Sequence, residues 1–216
     1  MAGRVTADAP RVSGESGAPG AGTITGYRGC VYALVRDALR ATGPIAHAVD
    51  VGAGEGWYAR QLVRDGVVRL CTAVEIKRRS VTYVEPVLYD GRRLPLPDRS
   101  CELVYAIDVV HHAPEPVALL DEMARVSARF ILLKDHTHRG IAGRVALTIL
   151  DEIGNRRFGI PSPGAYQRDW SWLPALQSRG FVPRTMIHPA PCHAGVLGAL
   201  TNRLQFVAIF ERTHAD

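Results

Sequence analysis

The stretch that decides the fold is His47-Ala-Val-Asp-Val-Gly-Ala-Gly-Glu-Gly-Trp-Tyr58. An apolar run leads into glycines at 52, 54 and 56, and an amphipathic pattern follows them. This is the signature of a strand, a tight turn and a helix. Glycine reaches backbone angles barred to other residues, and the start of a helix presents unpaired N–H groups, so the turn reads as a nucleotide-binding loop. The dinucleotide fingerprint is G-x-G-x-x-G; here the glycines come instead at every second position.

Working outward, an acidic residue that can accept both ribose hydroxyls is expected about 20 residues on, at the end of the next strand. Glu75 occupies that place in Leu70-Cys-Thr-Ala-Val-Glu-Ile76. Two more stretches follow in order: Leu88-Tyr-Asp-Gly-Arg-Arg-Leu-Pro-Leu-Pro-Asp-Arg-Ser-Cys-Glu-Leu-Val104 and Asp108-Val-Val-His-His-Ala-Pro-Glu-Pro116. Together these motifs resemble class I S-adenosylmethionine-dependent methyltransferases, in particular the small-molecule, ubiquinone/menaquinone-type branch. The resemblance covers roughly residues 45 to 135. It implies a Rossmann-like α/β fold: a seven-stranded, mostly parallel sheet with an antiparallel last strand and helices on both faces. The implied cofactor is S-adenosylmethionine, leaving as S-adenosylhomocysteine. It would be held by Asp50, Gly52, Ala53, Gly54, Gly56, Glu75, Ile76, Asp90, Gly91 and Asp108, with Asp90 facing the adenine amino group. Tyr27 is implied near the ligand carboxylate; otherwise it is a surface residue capping the first helix.

The chain of 216 residues suits one domain. Residues 1–22 are Gly-, Ala-, Pro- and Ser-rich without periodicity and are expected to form a tail, leaving 23–216 as the domain. The net charge of +5 is spread along the chain, so it argues only weakly for nucleic acid. Four dispersed cysteines suggest reduced thiols, and there is no apolar run of membrane-spanning length. The expectation is a cytoplasmic protein without membrane insertion, acting on a small molecule.

Further elements follow from pattern. A helix starts near Arg28, with Val31, Leu34, Val35, Ala38 and Leu39 at helical spacing. Strands are expected at His47–Val51, Leu70–Ile76, Glu85–Tyr89, Glu102–Ile107 and Phe130–His136, with a final pair at Phe181–Ile187 and Leu204–Phe210. The gap between Glu75 and Glu85 is too short for the usual crossover helix. Val117, Leu120, Met123 and Ala124 share a face of the helix opened by Pro114 and Pro116. Val126-Ser-Ala-Arg129 replaces the Pro-Gly-Gly turn of the family. A helix is expected at Asp169–Arg179, and the long segment 137–166 reads as a lid over the site.

Ligands of open α/β sheets bind at the carboxyl ends of the strands, which is where the histidines lie. Methyl transfer is chiefly a matter of alignment, and a base is needed only where the acceptor must lose a proton. His136, oriented by Asp135, is the first candidate base and His112 the second. His111, His138, Tyr166, Trp170 and His193 are candidate acceptor contacts. Trp170, Trp172 and Tyr166, with Arg156, Arg157 and Arg168, could cover a planar or acidic acceptor, or else simply pack a helix. Asp135, His136 and His138 could share a metal, but no metal is expected. The acceptor atom, O, N or C, stays open. Methylation of RNA or protein and a non-methylating ligand-binding protein on the same fold are the alternative functions.

Overall fold

The computed structural model describes residues 26–155 and 165–213. The expected tail at 1–22 and residues 156–164 of the expected lid lie outside the described residues.

The chain runs α1 (Gly26–Arg40), β1 (Ile45–Val51), α2 (Trp57–Arg64), β2 (Val68–Glu75), β3 (Val87–Leu88), β4 (Cys101–Ile107), α3 (Pro116–Val126), β5 (Ser127–His138) and α4 (Gly140–Asn155). It continues through β6 (Gln167–Arg168), α5 (Leu173–Ser178), β7 (Phe181–Ile187), α6 (Gly195–Thr201) and β8 (Gln205–Arg212). The strand order is β3-β2-β1-β4-β5-β8-β7. Strands β1 to β5 pair in parallel, and β8 runs antiparallel to both β5 and β7. The expected seven-stranded sheet is present, and two-residue β6 adds an eighth strand beside the end of β5.

Alternation along the strands builds a core on each face of the sheet. Leu103 and Tyr105 of β4, with Phe130 and Leu132 of β5, pack with Val31, Val35 and Leu39 of α1 and Leu62 of α2. Their neighbours Val104, Ala106, Ile131 and Leu133 face the other way, onto Leu120 and Met123 of α3 and Leu176 of α5. Both faces are covered, so these strands read as continuous apolar runs.

Four details differ from expectation. Strand β3 is only two residues long, where Glu85–Tyr89 was expected, while residues 76–86 form no helix, as the short link implied. That loop folds back on the glycine turn instead: Tyr83 N–H donates to Glu55 O at 2.7 Å, and buried Val84 packs against Gly56. Val117 lies 49% exposed, and the buried face of α3 is made by Leu119, Leu120, Met123 and Ala124. The helix expected at Asp169 begins only at Leu173, because Asp169 and Trp170 take left-handed φ of 48° and 64°, which an α-helix cannot contain. Helix α6, in the stretch between the last two strands, has no counterpart in the sequence reading.

Where a Pro-Gly-Gly turn was missing, α3 runs straight into β5. Arg212, at the end of β8, closes this junction by donating to Ala124 O at 2.5 Å and Ser127 O at 2.7 Å. It thereby satisfies a carbonyl left open at the helix end.

Candidate functional site

The glycine turn is shaped by backbone and by its neighbours. Gly52, Gly54 and Gly56 all have positive φ, of 69°, 57° and 74°. A Cβ on Gly52 would lie 2.6 Å from Val109 of the loop after β4, and one on Gly56 would lie 2.7 Å from Val84. Gly54 faces open space. The turn hangs from β2: Gly52 and Ala53 donate to Val74 O at 2.9 and 3.1 Å. Glu75 is buried behind it, with Oε2 accepting Gly54 N–H and Oε1 accepting Ile76 N–H, each at 2.8 Å.

In front of the turn opens a cavity of about 620 Å³. Asp50, Gly52, Ala53, Gly54, Tyr58, Ile107 and Asp108 line one part; His112, His136, His193, Leu150, Leu197 and Gln205 line another. Tyr27 lies on the wall between α1 and the strand ends, so it is no surface residue.

Asp108 and Tyr27, both half-buried, form one network around the fully buried Lys134. Asp108 sits at φ 55° after β4, and its Oδ2 accepts the Tyr27 hydroxyl at 2.7 Å. Lys134 of β5, with no exposed side chain, donates to Asp108, to Tyr27 and, at 2.7 Å, to Gln205 Oε1. Burial would raise the Asp108 pKa, but the Lys134 ammonium and His136 outweigh it and hold the carboxyl below its ordinary range. Lys134 and Gln205 were missed in the sequence. The signal was there: a lysine inside Ile131-Leu-Leu-Lys134, a strand buried on both faces, has to be paired.

Asp135 serves a different partner from the one expected. Its Oδ1 accepts His111 Nδ1 at 2.6 Å and the His136 backbone N–H at 2.7 Å, while Oδ2 accepts Val110 N–H at 3.1 Å. The His136 ring nitrogen Nδ1 is 3.3 Å from the same Oδ1, outside good hydrogen-bond geometry. Asp135 therefore anchors His111 and the 3-10 turn Val110–His112 first, and His136 second. Burial depresses the His136 pKa, the Lys134 charge adds to this, and Asp135 and Asp108 only partly oppose it. A neutral imidazole thus faces the cavity near pH 7. His193, stacked on Tyr27 at 4.7 Å, is likewise lowered by burial and then by Lys134.

Asp50 is the opposite case. Burial pushes its carboxyl up to about 8, against the hydrogen bond from Tyr105, and Oδ2 has no hydrogen-bond partner among the described residues. His111, Asp135 and His136 each bring one ligand-type atom within 4.8 Å of the others. The three donors already on Asp135 make this a hydrogen-bonded anchor. His138, which had been grouped with Asp135 and His136, pairs Nδ1 with Gly140 O at 3.1 Å instead.

Several expected contacts lie off the cavity. Asp90 Oδ1 accepts the N–H groups of Arg92 and Arg93, capping its own exposed turn, and Gly91 and the exposed Ile76 flank it outside the lining. Tyr166 stacks on His111 at 5.2 Å and packs against Leu147 and Leu204. Trp170 meets Phe206 edge-on at 5.3 Å, and Trp172 is buried in the α3/α5 core, so neither covers an acceptor. Of the five residues expected to touch acceptor, His193 lines the cavity, while His111, His138, Tyr166 and Trp170 stand behind or away from it.

Residues 49–129 match the family model described as a methyltransferase domain. No curated protein matches the chain in sequence. Among solved structures, magnesium protoporphyrin IX methyltransferase from Synechocystis PCC 6803 is similar over 90% of each chain, at 18% identity and a TM-score of 0.57. Geranyl diphosphate C-methyltransferase from Streptomyces coelicolor A3(2) is similar over 84% of this chain and 79% of its own, at 11% identity and a TM-score of 0.61. An S-adenosylmethionine-dependent methyltransferase from Aquifex aeolicus is similar over 82% and 88%, at 15% identity and a TM-score of 0.53. At these identities the likeness is one of fold.

Proposed function

We propose that this chain, a class I S-adenosylmethionine-dependent methyltransferase by its fold and by the domain at residues 49–129, methylates a small organic acceptor bearing a weakly acidic nucleophile such as a hydroxyl. The observation that carries this reading is one cavity joining the glycine turn to His112, His136 and His193. Asp50, Gly52, Ala53 and Gly54 would hold the amino-acid end of the cofactor, and Glu75, which braces Gly54 from behind the turn, would accept the ribose through its remaining lone pairs. The cofactor supplies an electrophilic methyl on sulfur. The chain supplies alignment and, at His136 Nε2, a neutral nitrogen able to take the proton that the acceptor loses. Asp135 positions this part of the wall through His111 and the His136 backbone.

Leu150 of α4 and Leu197 of α6 give the acceptor side an apolar boundary, which suits a small partly apolar molecule. In this reading α4 is a wall of the acceptor site, and acceptor choice follows Leu150 and Leu197 more than the glycine turn. Incubation with methyl-labelled cofactor and a metabolite extract, followed by mass analysis, identifies the acceptor. With it, His136→Ala lowers kcat by roughly 10² to 10⁴, while the affinity for S-adenosylhomocysteine stays nearly constant. Label appearing only in RNA or protein would overturn the small-acceptor reading. Tight cofactor binding with no labelled product would point to a non-methylating protein.

A further inference from the structure

At the end of the sheet opposite the glycine turn lies a second cavity, of about 330 Å³, formed where the loop before β4, the start of β5, the α5–β7 turn and the end of β8 meet. Arg99, Arg129, Arg179 and Arg212 line it, with Glu211 as the one carboxylate among the described residues of its wall. The charge there is poorly balanced. Arg179 is engaged by Asp121 at 2.8 Å, and Glu211 is shared between Arg129 at 3.4 Å and Arg184 at 2.5 Å. Among the described residues, two carboxylates therefore face five guanidiniums, counting Arg99 and Arg212.

Arg212 is the least exposed of these four arginines. Both of its terminal nitrogens are used on carbonyls, including Arg179 O at 3.3 Å, while its Nε has no acceptor among the described residues. Arg99 holds its place through a left-handed backbone, φ 49°, and an N–H bond to Arg125 O at 2.9 Å. Burial and the neighbouring Arg99 charge both lower the Arg212 pKa, as expected for cations crowded without a counter-ion.

We infer that this groove binds the phosphate group of a small phosphorylated molecule, with the exposed Arg99 and Arg129 as its direct contacts and Arg212, held on its carbonyls, as a fixed charge behind them. Guanidinium forks match phosphate oxygens bidentately, and a dianion would offset the surplus charge that Asp121 and Glu211 leave. The cavity exceeds the size of phosphate itself, leaving room for the group that carries it. The site is separate from the methyl-transfer cavity, so the inference does not rest on the proposed acceptor.

The test is calorimetric titration of the full chain with inorganic phosphate and with a sugar phosphate, against sodium chloride at matched ionic strength. A thermal-shift series runs in parallel. The expected result is one saturable site for both phosphates, tighter for the sugar phosphate, and a rise in Tm that chloride does not reproduce. Arg99→Ala/Arg129→Ala, two exposed changes that leave Arg212 on its carbonyls, weakens binding about tenfold or more. Glu211→Gln, which releases Arg129 and Arg184, strengthens it, a gain that misfolding cannot mimic. Equal Tm shifts with chloride, or phosphate affinity unchanged in the double variant, would overturn the site. Binding confined to an RNA oligonucleotide, with a steep salt dependence, would overturn the small-ligand assignment.

Discussion

The two halves of the main cavity are made in different ways. The glycine turn and Glu75 come from one β-α-β stretch, and their geometry is set by backbone: three positive-φ glycines and N–H groups bonded to Val74 O and Glu75. The acceptor half is assembled from side chains far apart in sequence. Tyr27 and Lys134 are 107 residues apart, and Lys134 and Gln205 are 71 apart. A backbone-built half tolerates many side-chain changes but few at glycine, whereas a network-built half fails when one charge is removed.

Lys134→Met presses hardest on that contrast. The methionine approximates the lysine stem but leaves Asp108 without its cation and Gln205 without its donor. Breaking a buried pair from one side costs roughly 3–5 kcal/mol, and chemical denaturation should show a loss of that order. Lys134→Met/Asp108→Asn should recover part of it, since no lone carboxylate remains. If the single variant lost less than about 1 kcal/mol, the network would be a solvated surface pair and the comparison would collapse.

The glycines sharpen the other side. At Gly52 alanine combines positive φ with a Cβ 2.6 Å from Val109, whereas at Gly54 it meets only the backbone strain. Gly54→Ala should cost about 1–2 kcal/mol, and Gly52→Ala clearly more, with loss of S-adenosylhomocysteine binding. Calorimetry on the two variants gives the order. Equal effects would mean that Val109 yields freely and that the turn is not fixed by its neighbour.

The same contrast explains what was legible in the sequence. Gly52, Gly54 and Glu75 sit at fixed offsets in one local motif, so the turn and the parallel sheet around it could be read directly. The short link after Glu75 likewise foretold the missing crossover helix, because a helix needs residues that are not there. For Asp135, adjacency in sequence showed only His136, whereas the fold also brings His111 within 2.6 Å. Trp170 looked like a cover for the site because aromatic residues beside arginines fit both a ligand and a core. Its left-handed backbone, which turned it onto Phe206, leaves no trace in composition. Asp90 matched its motif but caps its own turn, since a short acidic side chain bonds neighbouring N–H groups wherever the backbone offers them.

The change most confined to one group concerns Asp50, which belongs to the backbone-built half yet carries the one cavity carboxyl pushed up to about 8. In the unfolded chain the same group titrates near about 3.9. Between those values the folded state keeps a proton that the unfolded chain has released. The stabilising difference is therefore complete below about 3.9 and is lost as pH rises through about 8, at no more than ~1.4 kcal/mol per pH unit. Asp50→Asn should flatten the Tm profile between pH 5 and 8. It should also change ligand binding, because a cationic cofactor selects the ionised carboxylate. His136 and His193 are held below their ordinary values and Tyr27 and Tyr58 are raised, so Asp50 stands apart from them as the group that titrates near pH 8. Cofactor affinity in the parent protein should rise with pH up to about 8, with a proton released on binding. Calorimetry in buffers of different ionisation enthalpy measures that proton, and its persistence in Asp50→Asn would assign it to another group and leave Asp50 a purely structural part of the turn.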